Sequence, residues 1–105
     1  MIYRDLGLSE IAESSIVVAT PDQISSDLGG ESVILHMKTG VYHGLNEVGA
    51  RVWDLIEKPK TVKEIKQVLL EEYEVDADVC TDDLFSLLNE LQTAGLIKVT
   101  NETAA

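Results

Sequence analysis

Between Ser32 and Ile56 the pattern of apolar and polar positions changes its period once. Ser32 to Met37 (SVILHM) is a dense run of branched and apolar residues, and Val41 to Leu45 (VYHGL) is a short alternating segment; both predict strands. From Asn46 the apolar residues Val48, Val52, Trp53 and Ile56 fall on one helical face, with Asn46 itself a good N-cap. A strand is therefore expected to run straight into a helix at this corner. Upstream, Gln23 to Leu28 reads as a short polar strand, and Gly29-Gly30 and Lys38-Thr39-Gly40 supply the two turns. The result is a three-stranded antiparallel meander whose third strand, Val41 to Leu45, lies at an edge. Ile16 to Ala19 is either a further strand or a lead-in to the fold, closed by the turn residues Thr20-Pro21-Asp22.

Helical periods continue after Pro59. Thr61 with Glu64 three residues on has the form of a capping box, followed by the apolar face Ile65, Val68, Leu69 and Tyr73. Asp76 or Asp78 opens a third helix whose stripe is Cys80, Leu84, Leu87, Leu88, Leu91 and Ala94. Gly95 stops it, and Leu96 to Val99 is a short apolar exit that can pair as a small strand. Strands followed by helices, rather than alternating with them, predict an α+β fold, winged-helix-like, with a three-stranded antiparallel sheet followed by three helices. At 105 residues the chain forms one domain. The expected organisation is an extension over residues 1–15, a folded unit over 16–100 and a frayed tail over 101–105.

Composition changes this picture only through charge. Nineteen acidic residues against eight basic ones give a formal net charge of −11. Nucleic-acid domains gain most of their affinity by neutralising phosphates, so neither nucleic acid nor an anionic membrane is an expected partner. The single cysteine, Cys80, excludes an internal disulfide and reads as a buried structural thiol. His36 and His43 lie in strands without a matching ligand cluster, and neither a metal nor another cofactor is expected. No secretory signal or long apolar span is legible, which points to a cytoplasmic protein.

Enzyme chemistry finds little support. The carboxylate pairs Glu71-Glu72 and Asp82-Asp83 fall on helix surfaces, Gly29-Gly30 lacks the rest of a phosphate loop, and His43 has no recognisable orienting partner. No catalytic residue is assigned. The third strand is more informative. Val41, His43 and Leu45 share one face, and Tyr42 and Gly44 the other. An exposed edge is normally blunted by lysine, proline or charge, and none occurs from Val41 to Leu45. Such an edge invites β-augmentation, in which a peptide adds as an extra strand. Whether the amide of His43 points outward, so that proline there removes a ladder donor for the guest, is left open. The third helix offers a wall for the groove: Leu84, Leu87 and Leu91 account for its core stripe, Phe85 lies about 100° away, and Leu88 is intermediate. Phe85 either caps the core edge or anchors a bound chain. Asp82 and Asp83 suit the helix N-terminus and can also hold a basic group. The acidic residues from Glu71 to Glu90 form a solubilising face that can steer a cationic partner. A winged-helix transcriptional regulator is the competing reading, but it predicts a basic recognition helix, and the third helix is acidic.

The runs GVYHGLNEVGARVWDLI, TVKEIKQVLLEEYEVD and DDLFSLLNELQTAGLI together resemble the PqqD-like family, also called RiPP recognition elements, from about Ile24 to Val99. The resemblance implies a winged-helix-like fold and non-catalytic binding of the leader segment of a ribosomally made precursor peptide, which is presented to modifying enzymes or a leader protease. Family members add the leader as a strand beside the third strand, in a groove against the third helix. Carried onto this chain, the peptide-binding residues are Val41, Tyr42, His43, Gly44 and Leu45, with Asp83, Leu84 and Leu87 on the helix and Phe85 or Leu88 beside them. The Tyr-x-Gly-Leu-Asn-x-Val-Gly-Ala-Arg-x-Trp run looks most like the standalone proteins of lasso-peptide clusters. Peptide chaperones of pyrroloquinoline quinone synthesis share the fold and form the alternative. Residues 1–15 are not part of the family pattern.

Overall fold

The computed structural model describes residues 11–101. Residues 1–10 of the expected extension and all but Asn101 of the expected tail lie outside that range. Three strands make the meander: β2 (Gln23–Asp27), β3 (Ser32–His36) and β4 (Tyr42–Leu45), in the sheet order β2-β3-β4. They are preceded by β1 (Ile16–Ala19). After β4 come α1 (Glu47–Leu55), the two-residue β5 (Lys60–Thr61), α2 (Val62–Glu72), α3 (Ala77–Thr93) and β6 (Ile97–Thr100). The fold is α+β, as the order of patterns predicts.

A second sheet, order β5-β1-β6, joins segments that are far apart in sequence. Ile16 pairs with both Thr61 and Thr100, and Ala19 with Ile97. Thus the two short apolar runs with unsettled assignments are partners of each other. The central strand β1 is fixed further by the Ala19 amide donating to the Ile56 carbonyl at 2.9 Å and the Thr20 amide donating to Leu96 at 2.9 Å.

The segment ahead of β1 belongs to this unit as well. The amides of Val62 and Lys63, which open α2 and have no acceptor within the helix, donate to the carbonyls of Ser15 and Glu13 at 3.0 Å each. Ser15 is fully buried, accepts from the Ala12 amide and donates to the Asn101 side chain. Ile11 packs against the core. The packed domain therefore takes in residues 11–15, which the sequence reading assigned to the extension.

Helix starts are set by side chains. Asn46 accepts from the Gly49 amide at 2.9 Å, Thr61 and Glu64 form a reciprocal capping box, and Asp76, rather than Asp78, caps α3. Gly95 ends α3 at φ 76°, a conformation that side chains disfavour, and its Cα faces the His36 ring so closely that a Cβ would sit 3.2 Å from Nε2. The first sheet's buried His36 is thereby seated against the α3–β6 turn.

Fully buried Val17, Ile34, Val52, Ile56, Ile65, Leu88, Leu91 and Leu96 draw the core from both sheets and all three helices. On α3 the core stripe is Cys80, Leu84, Leu88 and Leu91. This corrects the sequence reading: Leu88, not Leu87, completes the buried stripe, because the core wraps around that side of the helix and leaves Leu87 half-exposed.

Two surface carboxylates make stability depend on acid. The amide and hydroxyl of Thr61 hold Glu64 below the ordinary glutamate value of 4.5, and the Arg51 guanidinium, bonded to both oxygens at 2.8 Å, does the same for Glu72. A lowered folded-state pKa contributes stability that is complete above the unfolded value and is lost as pH falls through the folded value. Urea unfolding of the protein and of Glu72→Gln across this acid range will show a smaller loss in the variant below pH 4.5. Equal losses in both proteins would remove Glu72 from the account.

Candidate peptide-binding groove

The corner that opens on the Leu45-Asn46 step is built for close approach. Leu45 is buried at the end of β4, and the next residue already caps α1. A Cβ at Gly49 would lie 3.3 Å from both the Leu45 Cβ and the Asn46 Oδ1, so glycine lets the first turn of α1 press onto the strand end. That contact fixes β4 and α1 as two sides of one groove.

The third side is α3, and the α2–α3 connection closes one end. The groove holds about 430 Å³, within the usual range for ligand sites. Leu45, Val52, Leu69, Leu84 and Leu91 supply its apolar floor, and Val48, Tyr73, Val75, Val79 and Leu87 its walls. Val48, Val75 and Val79 are exposed there at 39%, 45% and 53%, which is an uncommon concentration of uncovered aliphatic surface in so acidic a chain. His43, Asp83 and Glu90 supply polar lining groups. Cys80 also lines the groove, and burial pushes its thiol pKa up, keeping it protonated and weakly nucleophilic.

β4 stands at the margin of its sheet, and no strand among the described residues pairs with its outer side. The register shows which backbone groups are left over. The His36 amide donates to the Val41 carbonyl at 3.0 Å, directly across the ladder. Opposed residues in an antiparallel pair alternate between bonded and non-bonded, so Ile34–His43 and Ser32–Leu45 are the bonded pairs. Tyr42 and Gly44 are the non-bonded members, and their N–H and C=O groups face away from β3. The other side of β3 agrees: the Leu28 amide donates to Glu31 at 2.6 Å, which gives Val33 and Leu35 to β2. The amide of His43 therefore belongs to the internal ladder.

Of the residues the sequence reading placed at the site, His43, Gly44, Leu45, Asp83, Leu84 and Leu87 line the groove together. Val41 and Tyr42 lie along the margin, exposed at 50% and 67%. Two others do not reach the groove. Phe85 is half-buried against the core, and Leu88 is wholly inside it. The sequence reading missed Val48, Val75 and Val79 as lining residues. Val75 and Val79 are apolar residues off the expected stripes and beside acidic ones, whereas Val48 belongs to the apolar face expected for α1 and is left exposed at the groove.

The chain's residues 31–97 match the family model PqqD, described as coenzyme PQQ synthesis protein D. No curated protein matches. Among solved structures, TbiB1 in complex with the TbiA(beta) leader peptide superposes with a TM-score of 0.72 at 34% identity, covering 77% of this chain and 94% of that one. A lasso peptide synthetase B1 complexed with the leader peptide gives a TM-score of 0.68 at 23% identity, covering 83% of this chain and 99% of that one. The second likeness is one of fold, whereas the family model and the first rest on sequence too. The chain belongs to the PqqD family.

Proposed function

We propose that this protein binds the leader segment of a ribosomally synthesised precursor peptide as an added strand on β4, does no chemistry on it, and presents it to a modifying enzyme or leader protease of lasso-peptide assembly. The observation that carries this reading is the unpaired β4 margin lying beside an apolar groove. A guest strand takes backbone hydrogen bonds from Tyr42 and Gly44 and turns alternate side chains inward past His43 and Leu45. The leader complex of TbiB1, 34% identical, supports the same class of ligand. The protonated Cys80 and the apolar lining suit a binding surface rather than a reaction centre. The precursor is made in the cytoplasm, and the handover is placed there.

The acidic surface argues against the regulator alternative. α3 carries Asp78, Asp82, Asp83 and Glu90 and no basic side chain, so a phosphate backbone is repelled from the helix that would have to read it.

Titration of the protein with a synthetic leader peptide from its own gene cluster, followed by NMR hydrogen exchange, tests the reading directly. The amides of Tyr42 and Gly44 will exchange quickly in the free protein and become protected with peptide, while that of His43 is protected throughout. No binding at high micromolar peptide, or protection that appears away from β4, would falsify the proposal.

The two neighbouring leucines of α3 separate binding from folding. Leu88→Ala will destabilise the protein by about 2–5 kcal/mol, the usual cost of emptying a core site. Leu87→Ala will keep the fold but weaken the peptide by about 1 kcal/mol, roughly fivefold, as expected for a half-covered leucine at a groove. Urea unfolding and fluorescence polarisation read the two effects separately, and an unaltered affinity in Leu87→Ala removes that side chain from the interface.

A further inference from the structure

His36 ends β3 on the same inner face as Ser32 and Ile34 and is 8% exposed. An aliphatic residue is the ordinary occupant of such a position, since burying a polar ring is unfavourable unless it gains a hydrogen bond. Nδ1 accounts for the choice. It accepts from the Lys38 amide at 3.2 Å, two residues along the chain. The backbone of His36 holds the same turn: its carbonyl accepts from the Gly40 amide at 2.8 Å, and its amide donates to the Val41 carbonyl at 3.0 Å. Thr39 closes the turn by accepting from the Val41 amide through its hydroxyl at 3.2 Å. Ring and main chain of one residue thus engage Lys38, Gly40 and Val41.

The next residue is Tyr42, the first of β4 and one of the two whose N–H and C=O face outward. At its far end β4 is fixed by Leu45, Asn46 and Gly49. At the Tyr42 end no strand among the described residues supports its outer side, and an edge with few buried contacts opens readily. The buried anchor nearest that end is the His36 ring. Its other edge lies against Gly95, where a Cβ would stand 3.2 Å from Nε2 and 3.7 Å from Cδ2. The α3–β6 turn behind it is tied to the second sheet by the Thr20 hydroxyl, which lies 3.2 Å from the carbonyls of both Gly95 and Leu96. The ring therefore braces the start of the edge strand against the end of α3, the helix that forms the opposite wall of the groove.

We propose that His36 is a positioning residue for peptide binding: through Nδ1 and the turn it closes, it holds the Tyr42 end of β4 at the spacing from α3 and in the register that a guest strand needs. The inference rests on the leader-binding reading and deepens it. The ring is enclosed and acts through the Lys38 amide, which in turn sets the main chain of Val41 and Tyr42.

His36→Asn and His36→Gln, made in the full chain, separate positioning from packing. Asparagine puts its oxygen where Nδ1 stands, and acceptance from the amide two residues on is the ordinary Asx-turn. Glutamine fills more of the site but carries its oxygen further out and leaves the Lys38 amide without that acceptor. The probe is the fluorescein-labelled leader peptide from the protein's own gene cluster. Urea unfolding will show the asparagine variant to be no more stable than the glutamine one. Nevertheless, the asparagine variant will bind within about twofold of the original, and the glutamine variant about fivefold more weakly, the effect of one hydrogen bond. By NMR the Lys38 amide will exchange slowly in the original and asparagine proteins and quickly in the glutamine one. Equal affinities for the two variants, affinities that simply follow stability, or fast Lys38 exchange in the original protein overturns the positioning role and leaves the leader-binding reading intact. Should both buried substitutions prevent folding, Gly40→Ala strains the same turn from the surface at φ 74°. It will weaken the peptide about fivefold, and an unchanged affinity overturns the proposal. Failure of the unsubstituted protein to bind overturns the leader-binding reading, and the role of His36 falls with it.

Discussion

Among the described residues, the backbone groups of Tyr42 and Gly44 have no partner strand on the outer side of β4, and a buried or open backbone group must find a partner somewhere. This constraint organises the rest of the molecule. An open edge is a hazard when it is long and flat, because any extended segment can pair with it. Here the exposed stretch is only the four residues of β4, and it runs directly into a capped helix. A guest can therefore make only a few ladder bonds, too few to hold it by backbone pairing alone. In the proposed binding mode the remaining affinity comes from side chains, which the groove beside the edge would receive.

That division explains why the corner at Leu45, Asn46 and Gly49 is so tightly specified. Backbone pairing sets where the guest lies, but its side chains reach the groove only if β4 and α1 keep a fixed spacing. Leu45 is anchored in the core, Asn46 ties the helix start to the strand end, and the absence of a side chain at Gly49 lets the two meet. Arg51 on α1 then grips Glu72 at the end of α2, beside the connection that closes the groove. The groove is thus held in shape by contacts within the protein itself, as a preformed binding surface requires.

Most of the scaffold was legible in the sequence because its signals are local. The Thr61–Glu64 box, the Gly95 stop and the change of period at Asn46 each depend on residues within one turn of one another. The second sheet was not legible as a unit. Its strands β1, β5 and β6 come from three separated parts of the chain, and periodicity in any one of them says nothing about the others. Leu87 and Leu88 show the same limit on a finer scale. Helical spacing admits both to the stripe on α3, and only the position of the second sheet and α2 decides that Leu88 is enclosed and Leu87 faces the groove. The edge strand was identified from its lack of blunting residues, but the outward direction of its amides depends on register with β3, which no single strand encodes.

The acidic surface fits the same arrangement. With a net charge of −11, the protein repels other anionic surfaces at a distance, while Asp83 and Glu90 bring negative charge to the lining of an otherwise apolar groove. Charges so placed act mainly on encounter and on rejection of wrong partners, and contribute less to the affinity of a seated chain. Backbone bonds along β4 cannot tell one peptide from another, since every residue but proline offers the same groups. In the proposed binding mode discrimination lies in what flanks the edge: the apolar depth of the groove and the negative charge along the helix. A recognition surface of this kind can accept variation wherever the guest contributes only its main chain, and is strict where a side chain has to fit.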